Sequence, residues 1–414
     1  METLQMQKTN QKQLINKSLS HLDMLCTQIS ERCVGSAGNQ QATKYFNQVV
    51  TSFDWKTETQ TFSAIDWHDG GASLTSGDQN FEVLVSPYSL GCQVNAELLT
   101  ARNELELKAL DAEDKIILLY GELAREQLMP KNFVFYNPES HQRIIKLLEE
   151  SGAAAFICAT GRNASLAGGV YPFPLIEDGD FHTPSVYMTE EEGARLIQFQ
   201  NEIVQLKSDS KRIPSKGENV IGVKGSNPHE RIIITAHIDA KKGTPGAIDN
   251  GTGVVVLLLL AEFLKTYQGE TQIELVALNG EDYFCAPGQM EYIRQNAHRF
   301  GQMILNINID GAGFLEGGSA FSYFNLPADI KKSSDRVINS NDSIIEGVPW
   351  PQSDHSIFVQ QGVPAIAITS QWFLDHIDTQ TITHTPRDHT GIVNHHKVVE
   401  IAVAIRDLIK YLVG

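Results

Sequence analysis

The C-terminal half of this chain contains four short runs of apolar residues, separated by segments long enough to form helices. Strands that are apolar along their whole length are typical of parallel sheets, because helices bury both faces of such sheets. The four runs cover residues 232–236, 273–278, 304–309 and 365–368. They predict an α/β fold in which helices sandwich a mostly parallel, mixed sheet.

Helical and extended patterns also occur outside these runs. Apolar residues recur at helical spacing over residues 395–413, which predicts a helix packed on the sheet. Residues 21–53 have a mostly helical pattern, and residues 56–65 alternate between polar and apolar as a strand does. We expect these segments to form regular elements at both ends of the chain.

Two polar stretches that contain glycine and serine divide the chain near residues 73 and 213. We expect residues 1–72 and 214–414 to form one domain, into which residues 73–213 are inserted as a smaller, β-rich α/β domain. Within the insert, residues 115–120 and 153–157 have the composition of short strands.

The charge balance excludes several classes of partner. The chain has 33 Lys and Arg against 50 Asp and Glu, which gives a formal net charge of −17. Nucleic-acid binding needs a basic surface, and anionic membranes repel acidic proteins, so neither partner is expected. The longest apolar run, residues 254–261, is too short to span a bilayer.

The cysteine count and the N-terminus bear on the cellular compartment. Five cysteines are an odd number for a disulfide framework. Residues 1–14 show neither an apolar stretch nor a small-residue cleavage site of the secretory type. We therefore expect a cytoplasmic protein; a secreted protein whose signal has been removed is the alternative.

Histidine and acidic residues follow the predicted strands, where open parallel sheets bind their ligands. The residues in question are His237, Asp239, Asp249, Glu281, Asp282, Asp310 and His384. Imidazole and carboxylate groups suit zinc, and two metal ions about 3.5–4 Å apart need a bridging carboxylate and further ligands on each side. Five of these residues have the right number and type of ligands for two metal ions, namely His237, Asp249, Asp282, Asp310 and His384. Glu281 is then available to act as a base.

Each of these residues also has an ordinary structural interpretation. A single aspartate at a strand end, such as Asp249 or Asp310, is usually a helix cap or a turn residue. His384 alone could be a loop residue, and Glu281 with Asp282 could form a solvated turn. A metal site is therefore indicated only by their joint occurrence at the strand ends of one sheet.

The same residues lie in motifs that resemble those of a known superfamily. The motifs are A-H-I-D-A (236–240), G-A-I-D-N-G-T-G (246–253), L-N-G-E-D (278–282), N-I-D (308–310), S-D-H-S-I-F (353–358), G-V-P-A (362–365) and H-T-P-R-D (384–388). In order and spacing they resemble the bacterial-type zinc aminopeptidases, whose superfamily includes glutamate carboxypeptidases and glutaminyl cyclases. R-C-V-G-S-A-G (32–38) also looks like the start of this family.

The insert resembles a protease-associated domain in D-K-I-I-L-L (114–119), G-A-A-A (152–155) and T-P-S-V-Y-M-T-E-E-E-G (183–193).

The resemblance implies a zinc exopeptidase-like fold and a role for each metal-site residue. Asp249 would bridge two Zn²⁺ ions. His237 and Asp310 would complete the ligands of one ion, and Asp282 and His384 those of the other. Many members of the family have Glu where this chain has Asp282, which puts the affinity of the second position in question.

The resemblance also implies roles for three acidic residues that are not ligands. Glu281 would be the general acid and base that activates a metal-bridging water. Asp239 would hold the imidazole tautomer of His237. Asp354 would lie near the site and orient either Glu281 or the substrate.

The function implied is a dinuclear zinc exopeptidase that hydrolyses N-terminal residues from small peptides. Three alternatives stay open: a single-zinc glutaminyl cyclase, a non-catalytic binding relative of the same fold, and a glutamate-type carboxypeptidase. The sequence does not decide side-chain preference, oligomeric state or the residue that stabilises the oxyanion.

Overall fold

The computed structural model describes residues 2–29, 31–162 and 169–413, with side chains from residue 11 onward. Their contacts divide the chain into two compact units. The first unit comprises the chain up to Ser63, Lys216–Ile377 and the chain from Ile382 onward. The second unit comprises Ala64–Ser215 with Asp378–Thr381. The first boundary thus falls earlier than residue 72, inside a long strand.

Eleven α-helices are found within the described residues. They are α1 (Glu2–Asp23), α2 (Ala37–Ser52), α3 (Glu104–Ala109), α4 (Glu139–Glu150), α5 (Glu190–Leu196), α6 (Thr252–Phe263), α7 (Pro287–Asn296), α8 (Ala328–Ile338), α9 (His355–Gln360), α10 (Gln371–Asp375) and α11 (His395–Val413). Short π-helical turns follow α1 at Met24–Gln28 and precede α6 at Ala247–Gly251.

The strands of the described residues number fourteen. They are β1 (Lys56–Ser76), β2 (Gln79–Phe81), β3 (Leu84–Val85), β4 (Cys92–Ala101), β5 (Ile116–Leu119), β6 (Ala155–Thr160), β7 (Ser185–Thr189), β8 (Ile203–Lys224), β9 (Asn227–His237), β10 (Thr271–Leu278), β11 (Met303–Ile309), β12 (Ser319–Phe324), β13 (Ile344–Gly347) and β14 (Ala365–Ser370).

The first unit is built on a mostly parallel, mixed sheet in the order β13-β12-β14-β11-β9-β10-β8. Its four central strands, β14, β11, β9 and β10, are parallel to one another and contain the four apolar runs of the sequence. Antiparallel pairs occur between β12 and β14 and between β10 and the C-terminal part of β8. The predicted α/β fold class is confirmed.

Helix α6 shows why the longest apolar run of the chain is a core element. All of its residues from Thr252 to Ala261 are buried. The helix contacts α1, α2 and α11 as well as β9 and β10, so every one of its faces packs against protein. A helix that is apolar all round is stable only in such an environment. None of the described helices is long and apolar enough to cross a membrane.

The second unit has a sheet of its own, in which β4, β5, β6 and β7 are parallel. Strand β3 joins β7 and the N-terminal part of β8 joins β4, both in the antiparallel direction. Two clusters of buried apolar side chains, with Phe156 and Ile157 as representative members, form its core. The expected strands at residues 115–120 and 153–157 are present as β5 and β6.

Residues 21–53 are mostly helical, as expected, with one interruption. Among the described residues, helical structure ends at Gln28 and resumes at Ala37. The Ser36 hydroxyl caps α2 by accepting a hydrogen bond from the Asn39 backbone N–H at 3.0 Å. Around the interruption, Arg32 and Asn39 make long-range hydrogen bonds that the helical periodicity does not reveal. Strand β1 continues to Ser76, beyond the expected end at residue 65.

Candidate metal centre

The carboxyl ends of the central strands bring the predicted site residues together. His237 is the last residue of β9, and its register partner on β10 is Leu278, which precedes Asn279-Gly280-Glu281-Asp282. Strand β11 lies on the other side of β9 and ends at Ile309, directly before Asp310. Neighbouring parallel strands end at the same edge of a sheet, so the residues that follow them meet there.

A first cluster forms around His237, which is buried. Its Nε2 atom lies 3.2 Å from Oδ1 of Asp249 and 3.4 Å from Oδ1 of Asp310. The ligand atoms of these three residues all lie within 4.8 Å of one another, as the donors of one metal ion must.

A second cluster forms around His384. Its Nε2 atom lies 3.3 Å from Oδ2 of Asp249 and 3.0 Å from Oδ1 of Asp282. These three residues also satisfy the 4.8 Å limit. Asp249 is therefore common to both clusters and offers one oxygen to each. The side chain of Asp282 reaches the second cluster.

The hydrogen bonds of the described residues indicate that the clusters are built for cations. Both ring nitrogens of His237 and Oδ2 of Asp282 are buried and have no hydrogen-bond partner in the described structure. Buried polar atoms are almost always paired, so atoms left unpaired in this way call for an unseen partner. Imidazole nitrogen and carboxylate oxygen are ligands that zinc accepts, and three donors surround each position. The residues present fit a pair of zinc ions.

Protonation of the clusters shows how strongly their negative charge attracts a cation. Burial alone would lower the pKa of His237, but the carboxylates of Asp310, Asp239 and Asp249 outweigh it and raise the pKa well above its usual value. Burial also opposes ionisation of Asp249, yet His237 and His384 hold its pKa below the usual range. The same negative charge would attract a metal ion, and metal and protons compete for these donors.

Asp239 has a different set of contacts from the one expected. Its Oδ1 atom lies 3.7 Å from Nδ1 of His237, which is beyond hydrogen-bonding distance. Its two oxygens instead accept hydrogen bonds from the backbone N–H groups of Gly280, Glu281 and Asp282 at 2.7, 3.3 and 2.9 Å. Asp239 thus joins the end of β9 to the loop that carries Glu281.

Glu281 lies among other acidic groups. Burial raises its pKa well above the usual value; His237 opposes this shift, and Asp282, Asp310 and Asp354 add to it. Asp354 is itself buried, which raises its pKa to about 7 although the nearby His237 lowers it. The buried, acidic surroundings of Glu281 therefore favour its protonated form, the form from which a general acid donates.

Asp354 is held at the N-terminus of α9. One of its oxygens accepts a hydrogen bond of 2.8 Å from the Gln289 side-chain amide, and the other is buried without a hydrogen-bond partner in the described structure. Its charge acts on Glu281, as the pKa of Glu281 shows. The contact with Gln289 could not be foreseen, since nothing in the sequence relates the two positions.

Asp388 is a site residue to which the sequence motifs assign no role. It is fully buried, and its carboxylate accepts hydrogen bonds from the backbone N–H groups of Ile248 and Asp249 at 2.7 and 3.0 Å. Its carbonyl oxygen accepts a third from Ala247 at 3.2 Å. Asp388 thereby ties the loop of His384 to the loop of Asp249. Its position in H-T-P-R-D was the available signal.

His384 is held in an uncommon backbone conformation. Its φ angle is +60°, in the left-handed region that side chains other than glycine seldom adopt. Such a conformation costs about 1–3 kcal/mol and is found mainly where a functional site requires it. Here it accompanies the placement of the imidazole between Asp249 and Asp282.

Known proteins resemble this chain in sequence. Residues 219–409 match the model of Peptidase family M28. The probable leucine aminopeptidase 2 of Aspergillus oryzae is 23% identical over 326 residues, covering 72% of this chain and 60% of that protein. Aminopeptidase YwaD of Bacillus subtilis is 25% identical over 236 residues, covering 56% of this chain and 47% of that protein. In both cases the chain spans less than two thirds of the relative's length.

Solved structures share the fold. BSAP, a zinc aminopeptidase from Bacillus subtilis, has a TM-score of 0.75 at 19% identity, with 97% of this chain and 95% of that chain covered. The sequence match is thus to a family of peptidases, and the fold is shared with a zinc aminopeptidase. The match of residues 219–409 to Peptidase family M28 confirms the family resemblance of the motifs.

Proposed function

We propose that the chain is a dinuclear zinc exopeptidase that removes N-terminal residues from small peptides. The observation that carries the proposal is the position of Asp249, whose two oxygens each contribute to a separate three-residue cluster. A single metal site would not need a carboxylate shared in this way.

The five candidate ligands form one group of three for each ion, and Asp249 belongs to both groups. His237, Asp249 and Asp310 would hold one zinc, and Asp249, Asp282 and His384 the other. When bound, the pair of ions supplies Lewis-acid polarisation of the scissile carbonyl and acidifies a water molecule. The choice of zinc is supported by the ligand types and by BSAP, which is a zinc aminopeptidase.

Glu281 would move the proton in the reaction. Its carboxylate would take a proton from the attacking water and return it to the nitrogen of the departing amine. The raised pKa of Glu281 supports this role, because a carboxyl with an ordinary pKa holds its proton too weakly at neutral pH. The three backbone hydrogen bonds to Asp239 fix the segment from which Glu281 projects.

The activity is tested with a panel of peptides that carry free or blocked termini. Metal-stripped protein is reloaded with zinc, and hydrolysis is followed by mass spectrometry. We expect peptides with a free N-terminus to be shortened from that end and N-acetylated peptides to resist. Shortening only from the free C-terminus would instead establish a carboxypeptidase.

The same panel distinguishes a glutaminyl cyclase and a binding protein from a peptidase. A peptide beginning with glutamine that cyclises without losing a residue, in protein holding one zinc per chain, would establish a glutaminyl cyclase. Failure of every peptide to react, with both zinc positions filled, would establish a binding protein.

For the insert, we propose a protease-associated domain that influences which peptide lengths are accepted. The proposal is supported by the motifs at residues 114–119, 152–155 and 183–193, which coincide with β5, the start of β6 and β7. Replacing residues 73–213 by a short linker is expected to change the length preference of hydrolysis. An unchanged preference in a folded, zinc-loaded variant would contradict the proposal.

A further inference from the structure

Residues 32–39, here called the N-terminal bracket, contact two loops of the candidate metal centre. The bracket lies between the π-helical turn and the first turn of α2, far in sequence from the matched family segment, residues 219–409. Its conformation needs a close approach of the backbone, because a Cβ atom on Gly38 would lie 1.9 Å from the carbonyl oxygen of Glu31. The close packing at Gly38 leaves no room for a larger residue in the bracket.

Arg32 forms hydrogen bonds with both ends of the loop between His237 and Asp249. Its Nε atom donates to the carbonyl oxygen of Ile238 at 3.0 Å, and its Nη1 and Nη2 atoms donate to Pro245 and Gly246 at 2.8 and 2.7 Å. Ile238 follows His237 directly, and Gly246 lies three residues before Asp249. The guanidinium thus sets the separation of the two chain segments that carry His237 and Asp249.

Asn39 binds the other loop. Its side-chain amide forms a reciprocal pair with the amide of Asn279, with Nδ2 to Oδ1 distances of 2.8 and 3.0 Å. Asn279 lies two residues before Glu281. Asn39 also donates to the carbonyl oxygen of Arg32 at 3.0 Å, so the two contacts of the bracket are joined to each other.

The energetics favour a positioning role for Arg32 over a purely stabilising one. Only 2% of the residue is exposed; its donors are directed at carbonyl oxygens and at Sγ of Cys26, and its charge acts on the buried carboxyl group of Asp388. Burying a cation is expensive even near a carboxylate, and an apolar side chain could fill the space at lower cost. What an apolar side chain cannot do is hold three carbonyl groups of one loop at fixed distances from a rigid, planar donor.

We propose that Arg32, supported by Asn39, is a positioning residue that sets the geometry and affinity of the metal cluster formed by His237, Asp249 and Asp310. This inference rests on the metal centre of the proposed function. It assigns to the N-terminal bracket a role in metal binding.

The test compares Arg32→Lys with the matched control Arg231→Lys. Arg231 is equally buried and lies within β9, six residues before His237, where it donates to Glu274 at 2.7 and 2.8 Å. Both variants keep the charge and lose the planar, multidentate donor. Zinc affinity is measured by competition with a chromophoric chelator, thermal stability in EDTA, and kcat and KM with a free N-terminus peptide.

We expect Arg32→Lys to weaken binding of one of the two zinc ions by about 10- to 100-fold, the usual effect of losing support for a ligand. The kcat should fall more than KM rises. Arg231→Lys should lower the thermal stability and leave zinc affinity within about twofold of the wild type, the range expected for a change that does not touch a ligand-bearing loop.

The proposal is overturned if Arg32→Lys loses stability in EDTA yet binds both zinc ions as tightly as the wild type. Should Arg32→Lys not fold, zinc affinity and kcat are measured in Asn39→Ala, which removes the amide pair with Asn279 but no buried charge. Unchanged zinc affinity and kcat in that folded variant would also overturn the proposal. Wild-type protein that binds two zinc ions but hydrolyses no peptide would overturn only the activity. Wild-type protein that binds no zinc would overturn both.

Discussion

His237 and His384 approach opposite oxygens of one carboxylate, that of Asp249. The distances from their Nε2 atoms are 3.2 Å to Oδ1 and 3.3 Å to Oδ2. The two histidines come from distant parts of the chain, one at the end of β9 and one in the loop before α11. Their convergence on a shared acceptor is the geometry that a pair of bridged metal ions requires.

Glu281→Gln should separate proton transfer from metal binding. The glutamine has nearly the same size but cannot accept a proton, so we expect turnover to fall by about 10²- to 10⁴-fold. Zinc content should not change, because Glu281 belongs to neither cluster. Steady-state kinetics with metal analysis checks both points, and a rate near that of the wild type would remove Glu281 from this role.

Asp310→Ala and Asp282→Ala should each empty one metal position. Each aspartate contributes to only one of the two clusters, so each variant is expected to keep one zinc per chain. Asp335→Ala is a suitable control, because this half-exposed carboxylate pairs with Lys331 on α8. Loss of both ions in Asp310→Ala, or retention of both, would contradict the division of ligands.

Asp388→Asn should weaken the metal centre through the backbone of Asp249. The amide can accept only one of the two N–H hydrogen bonds from Ile248 and Asp249, and its NH₂ group would face the other. We expect the free energy of unfolding in EDTA to fall by about 1–3 kcal/mol, the usual cost of a lost buried partner. Zinc affinity should fall as well, and unchanged values of both would show that Asp388 does not position Asp249.

His355 should make the protein less stable in mild acid. Burial lowers its pKa from 6.5 to about 4, although the Trp350 carbonyl and Asp310 favour the charged form. The unfolded chain therefore binds a proton at higher pH than the folded chain does. The stability due to neutral His355 is complete above pH 6.5 and is lost as the pH falls toward 4, by about 3 kcal/mol over that range.

His355→Gln removes this titration and is expected to flatten the fall in stability. The comparison is made by urea unfolding in EDTA between pH 4.5 and 7, so that metal binding does not contribute. The difference between the two proteins isolates His355 from the buried carboxyls, which titrate in both. A variant whose stability falls with acid as steeply as that of the wild type would contradict the prediction.

The central sheet could be predicted because its signal is local. Each of the four apolar runs is long enough to form a strand, and all four lie in β9, β10, β11 and β14. The helix at residues 395–413 was also found with its expected bounds as α11. Burial on both faces of a sheet leaves a composition that is readable without knowledge of the neighbours.

The supporting contacts could not be predicted because they join distant segments. Nothing near Arg32 in sequence shows that its guanidinium binds the carbonyls of residues 238, 245 and 246. The break in helical structure before α2 was not foreseen either. It lies where Arg32 contacts the loop of residues 238–246 and Asn39 contacts Asn279. Asp239 lies beside the site, but its hydrogen bonds go to the backbone of residues 280–282.

The zinc content of the pure protein, measured after saturation with zinc and removal of loosely bound ions, decides whether Asp249 bridges two metal ions. We expect two zinc ions per chain for the wild type and none held tightly by Asp249→Ala, since that change removes a ligand from both clusters. One zinc ion per chain in the wild type, or two in Asp249→Ala, would contradict a bridged pair.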